Sequence, residues 1–202
     1  MLNNKILKKI KATKQSTPVT ESGCSIADGT PVDASNVCNT LAKAEGNGTY
    51  VQKNSRTSAS GRYQFVTSTA VDVIKKIGAA KTDAEAKSLW YNCRQSSTPD
   101  CKKLQDKMCN NYSSQIISQL EAKDIEITAE NVYLAWNQGA GGASIIINAM
   151  KNGTQVTNRD VLKNMAGQAW KFSPDGKTFY ANMQNYLRKR GVISTKTPPE
   201  NT

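Results

Sequence analysis

A single carboxylate, Glu45, closes an apolar run at helical spacing (Val37, Leu41, Ala44) and opens a polar segment rich in Gly, Ser and Asn. An acid at the junction of a rigid element and a loop can be half-buried and still reach a ligand. That setting keeps a glutamate protonated near neutral pH, as a general acid requires. Two further constellations follow. Ser60-Gly61-Arg62-Tyr63-Gln64-Phe65 leads into the cluster Thr67-Ser68-Thr69, and Tyr133-Leu134-Ala135-Trp136-Asn137-Gln138 runs into glycines. From Gly46 to Val71 there is no Asp or Glu, so the second carboxylate that most glycosidases use is missing there.

Helices must hold these groups. Asp33-Ala34-Ser35 can cap a helix over 36–45 that Gly46 ends. Residues 47–65 read as a short irregular hairpin or loop. Thr67 or Ser68 caps a helix with Val71, Ile74 and Ile77 on one face, closed by Gly78. Thr82-Asp83-Ala84-Glu85 is a capping box, opening a helix to Cys93. Pro99-Asp100 starts a longer one, with Cys101, Leu104, Met108, Tyr112, Ile116 and Leu120 inward. Thr128-Ala129-Glu130 opens the helix of Tyr133 to Asn137, which the Gly139–Gly142 cluster stops. Ile145 to Met150, Asn158 to Met165 and Phe179 to Leu187 mark three more. The expected fold class is mainly α.

Length and composition set the frame. The 202 residues suffice for one domain with a sizeable core, and 38% hydrophobic content fits polar ends around it. Residues 1–32 read as a basic flexible arm, 33–193 as the catalytic domain and 194–202 as a disordered tail. Met1 to Lys14 carries five lysines but no apolar h-region of about 7–15 residues, so it does not read as a complete signal peptide. It is a solvated leader or an arm for an anionic surface or nucleic acid. No run of about 18 apolar residues exists to span a membrane.

The chain has no histidine, which removes Ser-His-Asp and Cys-His catalysis and the His-containing zinc sites. The five cysteines form no C-x-x-C, so neither a metal nor another cofactor is expected. Their number points to an oxidising compartment, with buried reduced thiols as the alternative. Cys93 with Cys101 is a geometrically easy pair, and Cys24 with Cys38 would pin the leader to the first helix. Cys101 and Cys109 on one helix would stand about 12 Å apart, beyond the bridging limit of about 7 Å.

Ser60-Gly61-Arg62-Tyr63-Gln64-Phe65-Val66-Thr67-Ser68-Thr69 resembles the G-x-[aromatic or apolar]-Q-[apolar]-x-x-x-T motif of the lytic transglycosylases of the lysozyme-like superfamily, and Glu45 precedes it at about the family's interval. Ala135-Trp136-Asn137-Gln138-Gly139 resembles the family's A-[Tyr or Trp]-N-x-G. The resemblance implies a lysozyme-like α-helical domain, with at most a very small β-hairpin and a substrate groove. It makes Glu45 the acid that cleaves the bond between N-acetylmuramic acid and N-acetylglucosamine, then the base on the 6-hydroxyl. Ser60, Gly61, Tyr63, Gln64, Tyr133, Trp136, Asn137 and Gln138 are the candidate substrate-binding residues. Gln64 suits a sugar amide or hydroxyl, and Gly61 a close backbone approach to ligand. Tyr63 offers a stacking face or a core ring, and Asn137 a ligand contact or a helix cap. The implied partners are peptidoglycan glycan strands and the machinery of a phage or an envelope-spanning system. The implied location is the periplasm, the cell envelope or a virion.

Two positions depart from the family pattern. Gly46 stands where the family usually has Ser, and Trp136 where it usually has a Tyr whose hydroxyl meets the acid. Either the indole N–H, a donor only, takes that place, or Tyr133 one turn earlier supplies the hydroxyl. The rival readings are a hydrolytic muramidase using the same Glu45 and a non-catalytic peptidoglycan- or nucleic-acid-binding protein.

The net charge of +11 implies an anionic partner. If that partner is the wall, activity on whole sacculi falls as salt rises through about 0.15 M, where the screening length is about 8 Å. Small uncharged glycan fragments are then little affected. Equal salt sensitivity for both substrates would assign the charge to another partner.

Overall fold

The computed structural model describes residues 34–46, 48–55 and 57–194, and these are mainly α-helical. The arm 1–32 and the tail beyond Ser194 lie outside the described residues. Seven helices follow one another: α1 (Ala34–Gly46), α2 (Thr67–Lys76), α3 (Asp83–Cys93), α4 (Pro99–Glu121), α5 (Ala129–Asn152), α6 (Arg159–Ala166) and α7 (Gly176–Lys189). The ends carry the predicted chemistry in most cases. Thr82 and Glu85 form the reciprocal capping box of α3. Pro99 opens α4, and Thr128, Asn158 and Asp175 cap α5, α6 and α7 through their side-chain oxygens.

Two local expectations change. α2 begins at Thr67 itself, with Val66 as an N-cap that has no side-chain bond; Ser58 Oγ accepts the Thr67 N–H at 3.3 Å instead. The glycine cluster kinks α5 rather than ending it. Only Gly139 leaves helical geometry (φ 69°, ψ 157°), and the helix resumes to Asn152. The segment between α1 and α2 is held by isolated antiparallel bridges, Lys53 with Ser60 and Ser60 with Phe65, with no longer ladder among the described residues.

α5 is the central element, packed against α1, α4, α6 and α7. Most of its surface is buried, Tyr133, Leu134, Ala135, Ile146 and Ile147 almost completely, so it reads as apolar nearly all round. α7 crosses it closely at Gly176, where a Cβ would stand 2.5 Å from the Met150 nitrogen; only glycine fits. α1 lies along α4 and α5 through Val37, Leu41 and Ala44. Its last turn delivers Glu45 to the α5 side.

Two disulfides fix these contacts. Cys93–Cys101 joins α3 to α4 at a Cα separation of 4.8 Å, as the sequence led us to expect. Cys38 bonds Cys109 with 5.9 Å between Cα atoms, so the expected Cys24–Cys38 pair is corrected, and Cys24 lies outside the described residues. The side-by-side packing of α1 and α4 decides this pairing, which spans 71 residues of sequence. Closing the longer loop restricts the unfolded chain more. Replacing Cys38 and Cys109 together by Ala should lower the unfolding free energy by about 4 kcal/mol, and replacing Cys93 and Cys101 by about 2–3 kcal/mol. Denaturant titration of the two double variants checks the order, and the reverse order would contradict it.

Candidate active site

Glu45 faces a groove of about 530 Å³ between the 54–66 loop, α4, the middle of α5 and the segment after α6. Gln64, Trp136, Asn137 and Gln138 line it with Glu45, as do Phe65 and Tyr112. The far wall is Asn164 and 167–169, to which no sequence motif pointed. Among the described residues Glu45 is the only carboxylate lining this groove. Asp72 is exposed on α2. Glu130 is buried at the start of α5, where Gln184 Nε2 donates to it at 3.5 Å. Neither joins the groove.

Burial dominates the Glu45 carboxyl and pushes it up from 4.5 to about 7, since a charge there loses water. Three influences pull the other way: a hydrogen bond with the Asn137 side chain, the positive charge of Arg190 and a hydrogen bond with Tyr133. Asn137 and Tyr133 share one face of α5, and Asn137 Nδ2 also donates to the Tyr133 carbonyl at 3.0 Å. Of the two groups left open by the sequence, it is the Tyr133 phenol whose influence reaches the carboxyl. Trp136 turns away from this role and packs with Phe65 and Tyr112, ring centroids 5.0 and 5.1 Å apart. These three rings form an aromatic wall of the groove.

The remaining sequence candidates support the site from below. Tyr63 is buried, its hydroxyl donating to Asp106 at 2.7 Å, so its ring belongs to the core and is no stacking face in this groove. Burial and that carboxylate hold the phenol well above its ordinary pKa. Ser60 is fully buried, and its N–H bonds the Phe65 carbonyl at 3.1 Å. Gly61 does make a close approach, but to protein: a Cβ there would stand 2.5 Å from Gln105 Oε1 and 3.2 Å from the Trp90 ring. Gln64 has φ 50° and donates from Nε2 to the Gly61 carbonyl at 3.0 Å. A non-glycine residue held in the left-handed region signals a surrounding structure that over-determines it. At Gly46, a Cβ would run into the Gln52 carboxamide, so the absence of Ser there gives that side chain its place.

Sequence reasoning missed Tyr186, Arg190, Tyr112 and Asp106. Tyr186 donates to the Ala44 carbonyl at 2.9 Å and stacks on Tyr133 with ring planes 16° apart. The one available signal was the aromatic stripe of α7, which reads equally as core. Asp106 accepts from Tyr50 at 2.9 Å as well as from Tyr63, and nothing in its helical surroundings announces that.

No family model, curated protein or solved structure matches this chain. Among the described residues, no group of three His, Cys, Asp or Glu side chains is placed to hold a metal ion. No described helix is long and apolar enough to cross a membrane.

The raised Glu45 carboxyl has a consequence for stability. The unfolded chain gives up this proton near 4.5 and the folded chain near 7. The stability carried by the neutral form is complete below about 4.5 and is lost as pH rises through about 7. Glu45→Gln, neutral throughout, should match the parent at pH 4 and exceed it by about 1–3 kcal/mol at pH 8. Denaturant titrations at the two pH values measure this; a constant difference between variant and parent would mean a solvated carboxyl.

Proposed function

We propose that this protein is a peptidoglycan lytic transglycosylase that cleaves the β-1,4 bond between N-acetylmuramic acid and N-acetylglucosamine. The observation that carries the reading is one carboxyl, titrating near neutrality, facing a groove with no second carboxylate among the described residues. The motif resemblance around Gln64 and Asn137 supports it, since both side chains line the same groove as Glu45. Glycan strands of an anionic wall suit the chain's charge of +11, and the two disulfides fit an oxidising compartment such as the envelope or a virion.

The residues divide the work. Protonated Glu45 gives its proton to the glycosidic oxygen as the bond from C1 breaks, and the substrate's N-acetyl group supports the positive sugar that a second carboxylate would otherwise stabilise. The ionised Glu45 then takes the proton of the 6-hydroxyl as that oxygen closes on C1, leaving a 1,6-anhydro end. The intramolecular hydroxyl competes well with water because its effective concentration is high. Asn137 and Tyr133 hold the carboxyl on the reacting side. The wall of Phe65, Tyr112 and Trp136 offers apolar faces to sugar rings, and Gln64 offers an uncharged amide to their hydroxyl and acetamido groups.

Digestion of purified sacculi followed by mass spectrometry tests the reading. Anhydro-muropeptides, each lighter than the hydrolytic product by one water, are expected from the parent, with Glu45→Gln slower by about a hundredfold or more. Reducing N-acetylmuramic acid ends throughout would make the protein a muramidase. Near-parental turnover in the variant would remove Glu45 from the chemistry, and an inert parent would leave a binding protein.

A further inference from the structure

We propose that Arg62, Arg94 and Lys102, gathered around the buried Gln105 carboxamide, form a second binding surface, apart from the groove, for the carboxylates of the peptides that peptidoglycan carries. The inference rests on the reading of peptidoglycan as the substrate, and names a surface through which the chain's positive charge meets it.

The groove itself does not carry that charge. Its lining consists of Glu45 and uncharged residues, with no Lys or Arg among them. Such a lining suits a neutral glycan and offers nothing to the anionic groups of the polymer.

The loop before α2, the end of α3 and the start of α4 bring the cations together. Gln105 Oε1 accepts the Arg62 N–H at 2.8 Å, and Nε2 donates to the Tyr50 and Cys93 carbonyls at 3.1 and 3.0 Å. Arg94 follows Cys93. Lys102 lies one turn before Gln105 on α4, next to Cys101, which is bonded to Cys93. The side chains then settle on aromatic rings, which restrict their motion. The Arg62 guanidinium carbon lies 4.8 Å, and Lys102 Nζ 5.5 Å, from the centre of the Tyr50 ring. The Arg94 guanidinium carbon lies 4.2 Å from the centre of the exposed Tyr91 ring, with Lys87 Nζ 5.9 Å from that centre. Patch and groove share one loop, since Arg62 stands two residues before the groove-lining Gln64.

These cations lack counter-charges. Among the described residues none of the three is in an ion pair with a carboxylate. Asp106 is engaged by the Tyr50 and Tyr63 hydroxyls, and Asp100 is exposed on the first turn of α4. The Nε atoms of Arg62 and Arg94 are buried without a hydrogen-bond partner, an unfavourable state for a charged group. An anion on the two guanidinium groups offsets both this loss and the mutual repulsion of the cations. The planar fork of arginine matches the two oxygens of a carboxylate, and the peptides along a peptidoglycan strand present carboxylates repeatedly.

The test measures binding apart from cleavage. Purified sacculi, freed of nucleic acid and accessory polymers, are sedimented with protein carrying Glu45→Gln as the reference. Adding Arg94→Gln and Lys102→Gln should weaken binding at low salt by about tenfold or more and flatten its salt dependence. Removing two exposed charges elsewhere, Lys123→Gln with Lys151→Gln, should change it by less than about twofold. Near-ultraviolet circular dichroism checks each fold, and Lys102→Gln alone should show the same direction at smaller size. Sacculi with amidated carboxylates should bind the reference as weakly as untreated sacculi bind the variant. Equal binding by variant and reference overturns the proposal, as does reference binding undiminished by amidation. A loss confined to duplex DNA also overturns it and gives the surface to nucleic acid. With Glu45 restored, the Arg94→Gln, Lys102→Gln protein should cleave short amidated glycan fragments at the rate of the unaltered chain and whole sacculi more slowly. If the unaltered chain digests sacculi and the variant binds them equally well, this surface falls and the enzymatic reading survives. An inert chain removes the enzymatic reading, while binding that still depends on Arg94, Lys102 and wall carboxylates keeps the surface.

Discussion

Holding one half-buried carboxyl at the end of α1, largely shielded from water, is the constraint on which the rest of this structure depends. A lone carboxylate in such a place costs several kcal/mol when charged, so the group keeps its proton toward neutrality. The fold supplies partial compensation and stops short of an ion pair. Two uncharged hydrogen-bonding partners come from α5, and one displaced cation comes from α7. That requires three helices distant in sequence to converge within one turn of Glu45. The burial of α5 on nearly every side and the tight crossing at Gly176 accompany this convergence.

The groove's other wall is built by a different device. A loop between α1 and α2 with only isolated bridges has little intrinsic rigidity. Here α4 stiffens it with a polar set buried beneath. Gln105 accepts from the Arg62 N–H at 2.8 Å and donates to the carbonyls of Tyr50 and Cys93 at 3.1 and 3.0 Å. One residue on, Asp106 takes the hydroxyls of Tyr50 and Tyr63, with Arg62 over both rings at 4.8 and 5.7 Å. Such a network holds its members in one geometry because each unmade bond would leave a desolvated polar group. Gln64 and Phe65 thus reach the groove from a frame anchored in α4, and the Cys93–Cys101 bridge secures the neighbouring end of that frame.

The aromatic residues are allotted to distinct tasks by position. Phe65, Tyr112 and Trp136 make the groove wall, while Tyr133, Trp170 and Tyr186 pack together behind the last turn of α1. Tyr50 and Tyr63 serve the polar anchor. The first group lines the groove, the second packs behind the end of α1, and the third fixes the loop. Residue type alone does not distinguish these roles, because each ring is both a large apolar body and, in tyrosine, a polar handle.

The sequence by itself determined the helices and most of their ends, since capping boxes, proline starts and glycine stops are local and act within one turn. It also marked Glu45, Gln64, Trp136, Asn137 and Gln138, which the fold brings to a single groove, and the short-range Cys93–Cys101 pair. Tertiary structure alone decided which of these residues face the groove. Tyr63 and Gly61 lie inside the motif yet turn to Asp106 and Gln105, because α4 passes beneath the loop. Cys38 found Cys109 because two helices lie side by side, and Tyr186 reached the Ala44 carbonyl, with Arg190 over its ring, because α7 returns across α5. Contacts between distant segments depend on how helices cross. That crossing is set by the summed shape of many buried side chains, and no short stretch of sequence contains it.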